Sequence, residues 1–157
     1  MTQTFQAKYL MTLRVVPQDK ELGFKDIFQK ALEYELYLVT PGGLGLDGPV
    51  EWNEVYPQIL TCGFNLLPPA VVKGCVQAIS KAEVSKRIPT TEDIWVCMEP
   101  IHPQDKGEDI LYFFLNKDER WEYSDLKPSS QGPINIYKQL LVGRPYDSSR
   151  GTDFHYH

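Results

Sequence analysis

The chain has 157 residues and a mass of 18.0 kDa, which is the size of one ordinary domain. Hydrophobic residues make up 42% of it and charged residues 24%, and this composition excludes a disordered or fibrous chain. The net charge of −5 argues against a non-specific nucleic-acid binder and against electrostatic binding to a membrane surface, because both depend on basic side chains.

No secretory signal or membrane-spanning segment is expected. The first 16 residues contain no basic segment followed by an apolar run. The apolar stretch at 64–72 is interrupted by two prolines and is far shorter than the ~20 residues that a spanning helix needs.

Three cysteines, Cys62, Cys75 and Cys97, are an odd number without a Cys-x-x-Cys spacing, so neither a disulfide framework nor a zinc site is predicted. Each has apolar neighbours, which is typical of buried, reduced thiols. We therefore expect a cytoplasmic protein.

The first 40 residues predict a strand, a helix and a second strand. Apolar residues alternate along residues 5–15, the period of a half-buried strand. Residues 36–40 are a short apolar run that ends at a Pro-Gly-Gly sequence and predict a strand. Between them, five apolar residues at helical spacing predict a helix: Phe24, Ile27, Phe28, Ala31 and Leu32.

Residues 41–49 hold four glycines and two prolines and predict a loop. The next two segments stay open between helix and strand. In residues 51–64 the apolar spacing favours a helix, but Pro57 interrupts it. In residues 70–84 the spacing again favours a helix, whereas Gly74 and the valines favour a strand.

The rest of the chain predicts three strands and a last helix. Residues 94–98 alternate as a strand, and residues 110–115 and 120–123 flank a polar turn as a hairpin. Pro133, Tyr137, Leu140 and Leu141 predict a helix that stops at Gly143.

These elements predict a single α+β domain over residues 1–143. We expect a mainly antiparallel mixed sheet of about five strands, with about three helices packed on one face. Residues 144–157 have few apolar side chains and are expected to form a flexible tail.

Residues 43–48 spell the Gly-x-Gly-x-x-Gly pattern that lets a backbone approach a dinucleotide. Pro49 follows at once, and no acidic residue ends a second strand about 20 residues later, as such a site requires. We therefore predict a loop whose glycines serve turns, and no cofactor.

Catalytic constellations are scarce in this sequence. His102, His155 and His157 show no metal-binding or triad spacing, so no metal is predicted. Glu51 and Glu54 alternate with aromatic residues and are candidates for an acidic pocket. A small enzyme with a carboxylate or thiol site near residues 42–56 is therefore one alternative.

Two stretches resemble parts of viral structural proteins. Tyr-Pro-Gln-Ile-Leu at 56–60 is similar to the Tyr-Pro-x-x-Leu peptides that recruit membrane-budding machinery. The first strand, followed by Phe-Lys-Asp-Ile at 24–27 and its helix, resembles the start of the rhabdovirus matrix-protein core over about residues 6–39. This resemblance implies a self-assembling matrix-like protein, although the net charge of −5 departs from the usually basic character of that family.

The leading hypothesis is a non-catalytic protein that binds another protein or a second copy of itself. Apolar side chains in a turn-forming loop, and aromatic residues one helical turn apart, are typical of contact surfaces. The residues predicted to form this surface are Leu44, Leu46, Trp52, Glu54 and Tyr56.

Overall fold

A computed structural model describes residues 6–15, 32–79, 86, 88, 94–99, 110–115, 121–126 and 132–146 of the chain. Over these residues the chain forms six strands and two helices. In chain order they are β1 (Ala7–Val15), β2 (Leu32–Val39), α1 (Trp52–Thr61), α2 (Pro69–Ile79), β3 (Ile94–Val96), β4 (Ile110–Leu115), β5 (Trp121–Leu126) and β6 (Leu140–Pro145).

The six strands form one sheet in the order β1-β2-β6-β3-β4-β5. Every neighbouring pair is antiparallel except β3 and β6, which are parallel. The α+β class and the mixed sheet are thus confirmed. The sheet has six strands rather than about five, and the described part of the chain holds two helices rather than about three.

Helices cover both faces of this sheet, so the expectation of helices on one face was wrong. Leu36 and Leu38 of β2 pack in the same cluster as the buried residues of α2. Tyr37 and Val39, which point to the opposite face, pack with those of α1. The central strands β2 and β6 are apolar on both faces, and each face therefore needs a cover.

The segment 51–64, for which the sequence allows either helix or strand, forms helix α1 over Trp52–Thr61. Trp52, Val55 and Ile59 lie on one side of the helix and are buried. Pro57 has no N–H to donate to the carbonyl of Asn53, but both residues are exposed. Because water is available on that side of the helix, the proline is tolerated.

Helix α2 covers the other face and contacts both outer strands, β1 and β5. Gly74 permits the approach to β1, since an added Cβ would lie 3.0 Å from Val15 Cγ2. The open segment at 70–84 is therefore helical as far as Ile79, and residues 80–84 lie outside the described part. Neither helix of the described chain combines the length and the hydropathy that crossing a bilayer requires.

Several predicted strands are confirmed with small shifts in their ends. β1, β2, β3 and the β4–β5 hairpin lie where the sequence predicts them. β2 begins at Leu32, so this residue belongs to a strand and not to the preceding helix. The remainder of that predicted helix, residues 24–31, lies outside the described residues.

The prediction of a last helix from Pro133 to Leu141 was wrong. Residues 132–139 form turns and an isolated bridge, and Leu140–Pro145 is the strand β6. Tyr137, Leu140 and Leu141 match helical spacing, but Leu140, Leu141 and Val142 are consecutive and all buried, as in a strand covered on both faces.

Gly143 and Arg144 lie inside β6 rather than at the end of the domain. An added Cβ at Gly143 would lie 2.7 Å from Leu67 Cδ2 and 2.8 Å from the Glu35 carbonyl oxygen. The glycine therefore allows close strand packing and does not stop a helix. Ordered strand extends past the predicted boundary at residue 143, and residues 147–157 of the predicted tail lie outside the description.

We predict that Gly143→Ala destabilises the protein by about 2–3 kcal/mol, because the added methyl group meets a backbone oxygen that cannot move aside. The matched control is Gly48→Ala, where nothing lies within 4 Å and only the positive φ of 67° opposes the change. It should cost about 1 kcal/mol. Urea unfolding monitored by tryptophan fluorescence measures both; equal losses in the two variants would contradict the packing role of Gly143.

Candidate functional site

The loop at 41–50 is attached to the core by its own backbone and by α1. The Leu44 N–H donates to the Thr40 carbonyl at 2.9 Å, and the Leu46 N–H donates to the Pro41 carbonyl at 3.0 Å. Gln58 of α1 donates from Nε2 to the Leu44 carbonyl at 2.7 Å. The side chain of Leu44 is fully buried in the α1-side core. Contrary to the prediction, Leu44 is thus not available to a partner.

The glycines of the Gly-x-Gly-x-x-Gly stretch have roles within the fold. Gly43 lies against the residue that precedes β1, where an added Cβ would be 2.9 Å from the Gln6 carbonyl oxygen. Gly45 and Gly48 have positive φ angles of 94° and 67°, which glycine adopts without steric cost. The pattern is therefore explained by turns and by close backbone packing.

The other four predicted residues divide between core and surface. Trp52 is buried, with its ring centroid 6.3 Å from that of Trp95 and 6.1 Å from that of Tyr56. Leu46 and Tyr56 are half-buried, and Glu54 is exposed. Trp52 and Tyr56 do neighbour each other on α1, but the tryptophan faces the core. They do not form a joint aromatic anchor on the surface.

The carboxylate pair of the predicted acidic pocket lies at the start of α1. Glu54 Oε2 accepts a hydrogen bond of 2.9 Å from the Glu51 backbone N–H, and both residues are exposed. An acidic side chain here also interacts favourably with the helix dipole. The pair stabilises the first turn of the helix and does not converge on a cleft.

The Tyr-Pro-x-x-Leu stretch lies entirely within α1. Its Ile59 is fully buried, whereas Leu60 is 47% exposed. A partner that binds such a peptide in an extended form would first have to unwind this helix and expose Ile59.

A surface feature that the sequence did not predict lies in residues 133–138, next to the loop. Val50 and Ile134 exchange two backbone hydrogen bonds of 3.1 and 2.6 Å, and the Gly42 N–H donates to the Ile136 carbonyl at 2.9 Å. We call the exposed residues of 42–51 and 133–138 the loop–turn surface. Tyr137 is 77% exposed there.

The backbone around Tyr137 is held by Asn135. The Asn135 Oδ1 accepts a 2.7 Å hydrogen bond from the Tyr137 N–H, and its carbonyl accepts one of 3.0 Å from the Lys138 N–H. Such an Asx turn is a common role of asparagine. The turn could have been recognised in the sequence from its turn-forming residues Gly132, Pro133 and Asn135.

A buried charged cluster joins the end of β6 to β2. Glu35 is a buried charged residue, and its Oε1 lies 3.2 Å from Arg144 Nε. Arg144 also donates to the Tyr37 hydroxyl at 2.9 Å and lies over the rings of Tyr37 and Phe64. These side chains contact one another, as in a structural ion pair. The sequence did not indicate this cluster, because Arg144 follows the glycine at which the domain was expected to end.

The cysteines are free, and burial raises the pKa of each thiol. The pKa of Cys75 is raised to about 12. At Cys62, which is half-buried, burial is the larger effect, and a hydrogen bond from Gln58 lowers the pKa in part. Since the thiolate is the nucleophile, none of these sites favours covalent catalysis.

The predicted histidines lie outside the described residues, and within the described ones no group of three or more metal-ligating side chains occurs. Three comparisons, with protein-family models, with curated proteins and with solved structures, find no match for this chain.

We predict that Leu44→Ala destabilises the protein by about 2–5 kcal/mol, because it leaves a cavity in the core. Leu46→Ala, on the same loop but half-buried, should cost about 1 kcal/mol. Urea unfolding measures both. Equal stability of wild type and Leu44→Ala would show that the leucine does not support the core.

We predict that a thiol reagent labels Cys62 first in the native protein, and Cys75 and Cys97 only after denaturant is added. The labelling rate of Cys62 should rise with pH, because its raised pKa leaves little thiolate at neutral pH. The pKa of Cys75 rises from an ordinary 9.0 to about 12 on folding. Between these values the unfolded chain loses this proton and the folded chain keeps it, so the free energy of unfolding should fall as pH rises through that range. Mass spectrometry identifies the labelled sites, and early labelling of Cys75 would contradict its burial.

Proposed function

We propose that this protein is a non-catalytic protein-binding domain and that the loop–turn surface is its contact site. One observation carries the proposal: Tyr137 is 77% exposed, in a turn whose backbone N–H groups donate two hydrogen bonds to Asn135.

A tyrosine in this position suits protein recognition. Its ring offers a large contact area and loses few rotamers on binding, and tyrosine is enriched at the centres of interfaces. The turn is already ordered before a partner arrives, so binding does not have to supply that ordering. The neighbouring loop is attached to the core through the buried side chain of Leu44 and through the hydrogen bond from Gln58 to its carbonyl.

The predicted site residues keep a role in this proposal. Leu46, Tyr56 and Glu54 reach the surface and are proposed to surround the contact. Leu44 and Trp52 support the loop and α1 from beneath. The proposed contact site therefore comprises the loop and the turn that pairs with it, rather than the loop alone.

The features considered for an enzyme near residues 42–56 do not favour catalysis. Glu54 is hydrogen-bonded to the start of α1, and the pKa of the nearby Cys62 thiol is raised by burial. A carboxylate that caps a helix in solvent and a protonated thiol are poor catalytic groups.

The proposal is tested by selecting random peptides displayed on phage against the full chain, immobilised through an added terminal tag. We predict that the selected peptides lose at least about tenfold in affinity for Tyr137→Ser, since truncating a central interface tyrosine typically costs that much or more. The turn should persist in this variant, because Asn135 bonds the backbone of residue 137 and not its ring. Fluorescence anisotropy of labelled synthetic peptides measures the affinities.

The matched control is Tyr146→Ser, which truncates a tyrosine that is 42% exposed just after β6. It should leave both affinity and melting temperature unchanged. If the selected peptides bind Tyr137→Ser as well as wild type, or if both tyrosine variants lose affinity equally, the loop–turn surface is not the binding site.

A further inference from the structure

We infer that the partner of the loop–turn surface is a basic protein segment, in which lysine or arginine side chains stand beside an apolar residue. This inference rests on the proposed function and adds the chemistry of the partner, which the proposed function leaves open. It is carried by the exposed ring of Tyr137 together with the charges of the segment that pairs with its turn.

The charges on this surface are mostly acidic. Asp47 is exposed on the loop, and its carboxylate takes part in no side-chain hydrogen bond or ion pair within the described chain. Glu51 is exposed and directly follows Val50, which pairs with Ile134 of the turn segment. Glu54 is exposed one turn further along α1.

The basic residue beside Tyr137 contacts a tryptophan ring. Lys138 is half-buried, and its ammonium group lies 5.4 Å from the centroid of the Trp95 ring. A cation over an aromatic ring keeps its full charge, so this one lysine can offset one of the carboxylates on the loop–turn surface and not both.

A partner that covers Tyr137 therefore meets a surface on which the exposed carboxylates of Asp47 and Glu51 outnumber the one described lysine, Lys138. Charge complementarity favours a basic segment, speeds its association and repels acidic competitors. A second copy of this chain is disfavoured, because a twofold contact would bring the same acidic residues together and each copy has a net charge of −5. The partner should also carry an apolar residue, because the ring of Tyr137 is stabilised by packing against an apolar surface.

The test uses the same phage-displayed peptides, which are now sequenced. We expect peptides whose binding depends on Tyr137 to be enriched in lysine and arginine relative to the unselected library. Asp47→Asn and Glu51→Gln should each weaken the best such peptide by about two- to fivefold, the range of exposed ion pairs. The affinity for wild type should also fall as sodium chloride is raised.

The matched charge control is Glu99→Gln. Glu99 is an exposed carboxylate that acts electrostatically on Tyr34, a residue packed against the α2-side core. This change removes the same charge from the chain and should leave the peptide affinity unchanged. An equal loss in Glu99→Gln and Asp47→Asn would show a general attraction to an acidic protein and would overturn the inference.

Two further outcomes separate this inference from the proposed function. If the Tyr137-dependent peptides are neutral or acidic, the partner is not basic, although the surface still binds protein. If light scattering after gel filtration shows a dimer that Tyr137→Ser dissociates, the partner is a second copy and the inference is equally wrong. Peptides that bind independently of Tyr137 contradict the proposed function itself.

Discussion

Strand β6 lies between β2 and β3, buried on both faces, and the two cores of the protein meet on it. Leu141 packs in the α2-side cluster, whereas Leu140 and Val142 pack in the α1-side cluster. This position requires a residue without a side chain at 143, because Leu67 and the backbone of Glu35 occupy the space where a Cβ would stand. The packing on both faces of the sheet therefore depends on the close contact of Gly143 with Leu67 and with the backbone of Glu35.

The ion pair at the end of β6 helps to select its register. Arg144 and Glu35 are direct partners in the β2–β6 pairing, and their side chains share the α1 face with Tyr37. A shift of one residue would turn Arg144 to the opposite face and leave Glu35 without this cation. Because a buried carboxylate is costly without a partner, the pair favours the observed pairing over its neighbours.

The position of β6 also determines the surface. Since the strand begins at Leu140, the residues before it must reach the edge of the α1 layer, where Ile134 and Ile136 pair with the loop. A helix would have buried Tyr137 along with Leu140 and Leu141. In the turn, the tyrosine is exposed to solvent, and the proposed contact depends on this exposure.

The sequence alone determined the elements whose periodicity is local and unambiguous, namely β1, the β4–β5 hairpin and the loop at 41–50. It identified the loop as part of the candidate surface but placed Leu44 on the wrong side of it, because the residues that bury this leucine are distant in the chain. Only the tertiary structure decided that α1 is a helix despite Pro57, since exposure of that side cannot be inferred from spacing. It also decided between helix and strand at 140–145, where three apolar residues fit either structure until β2 and β3 are placed on both sides.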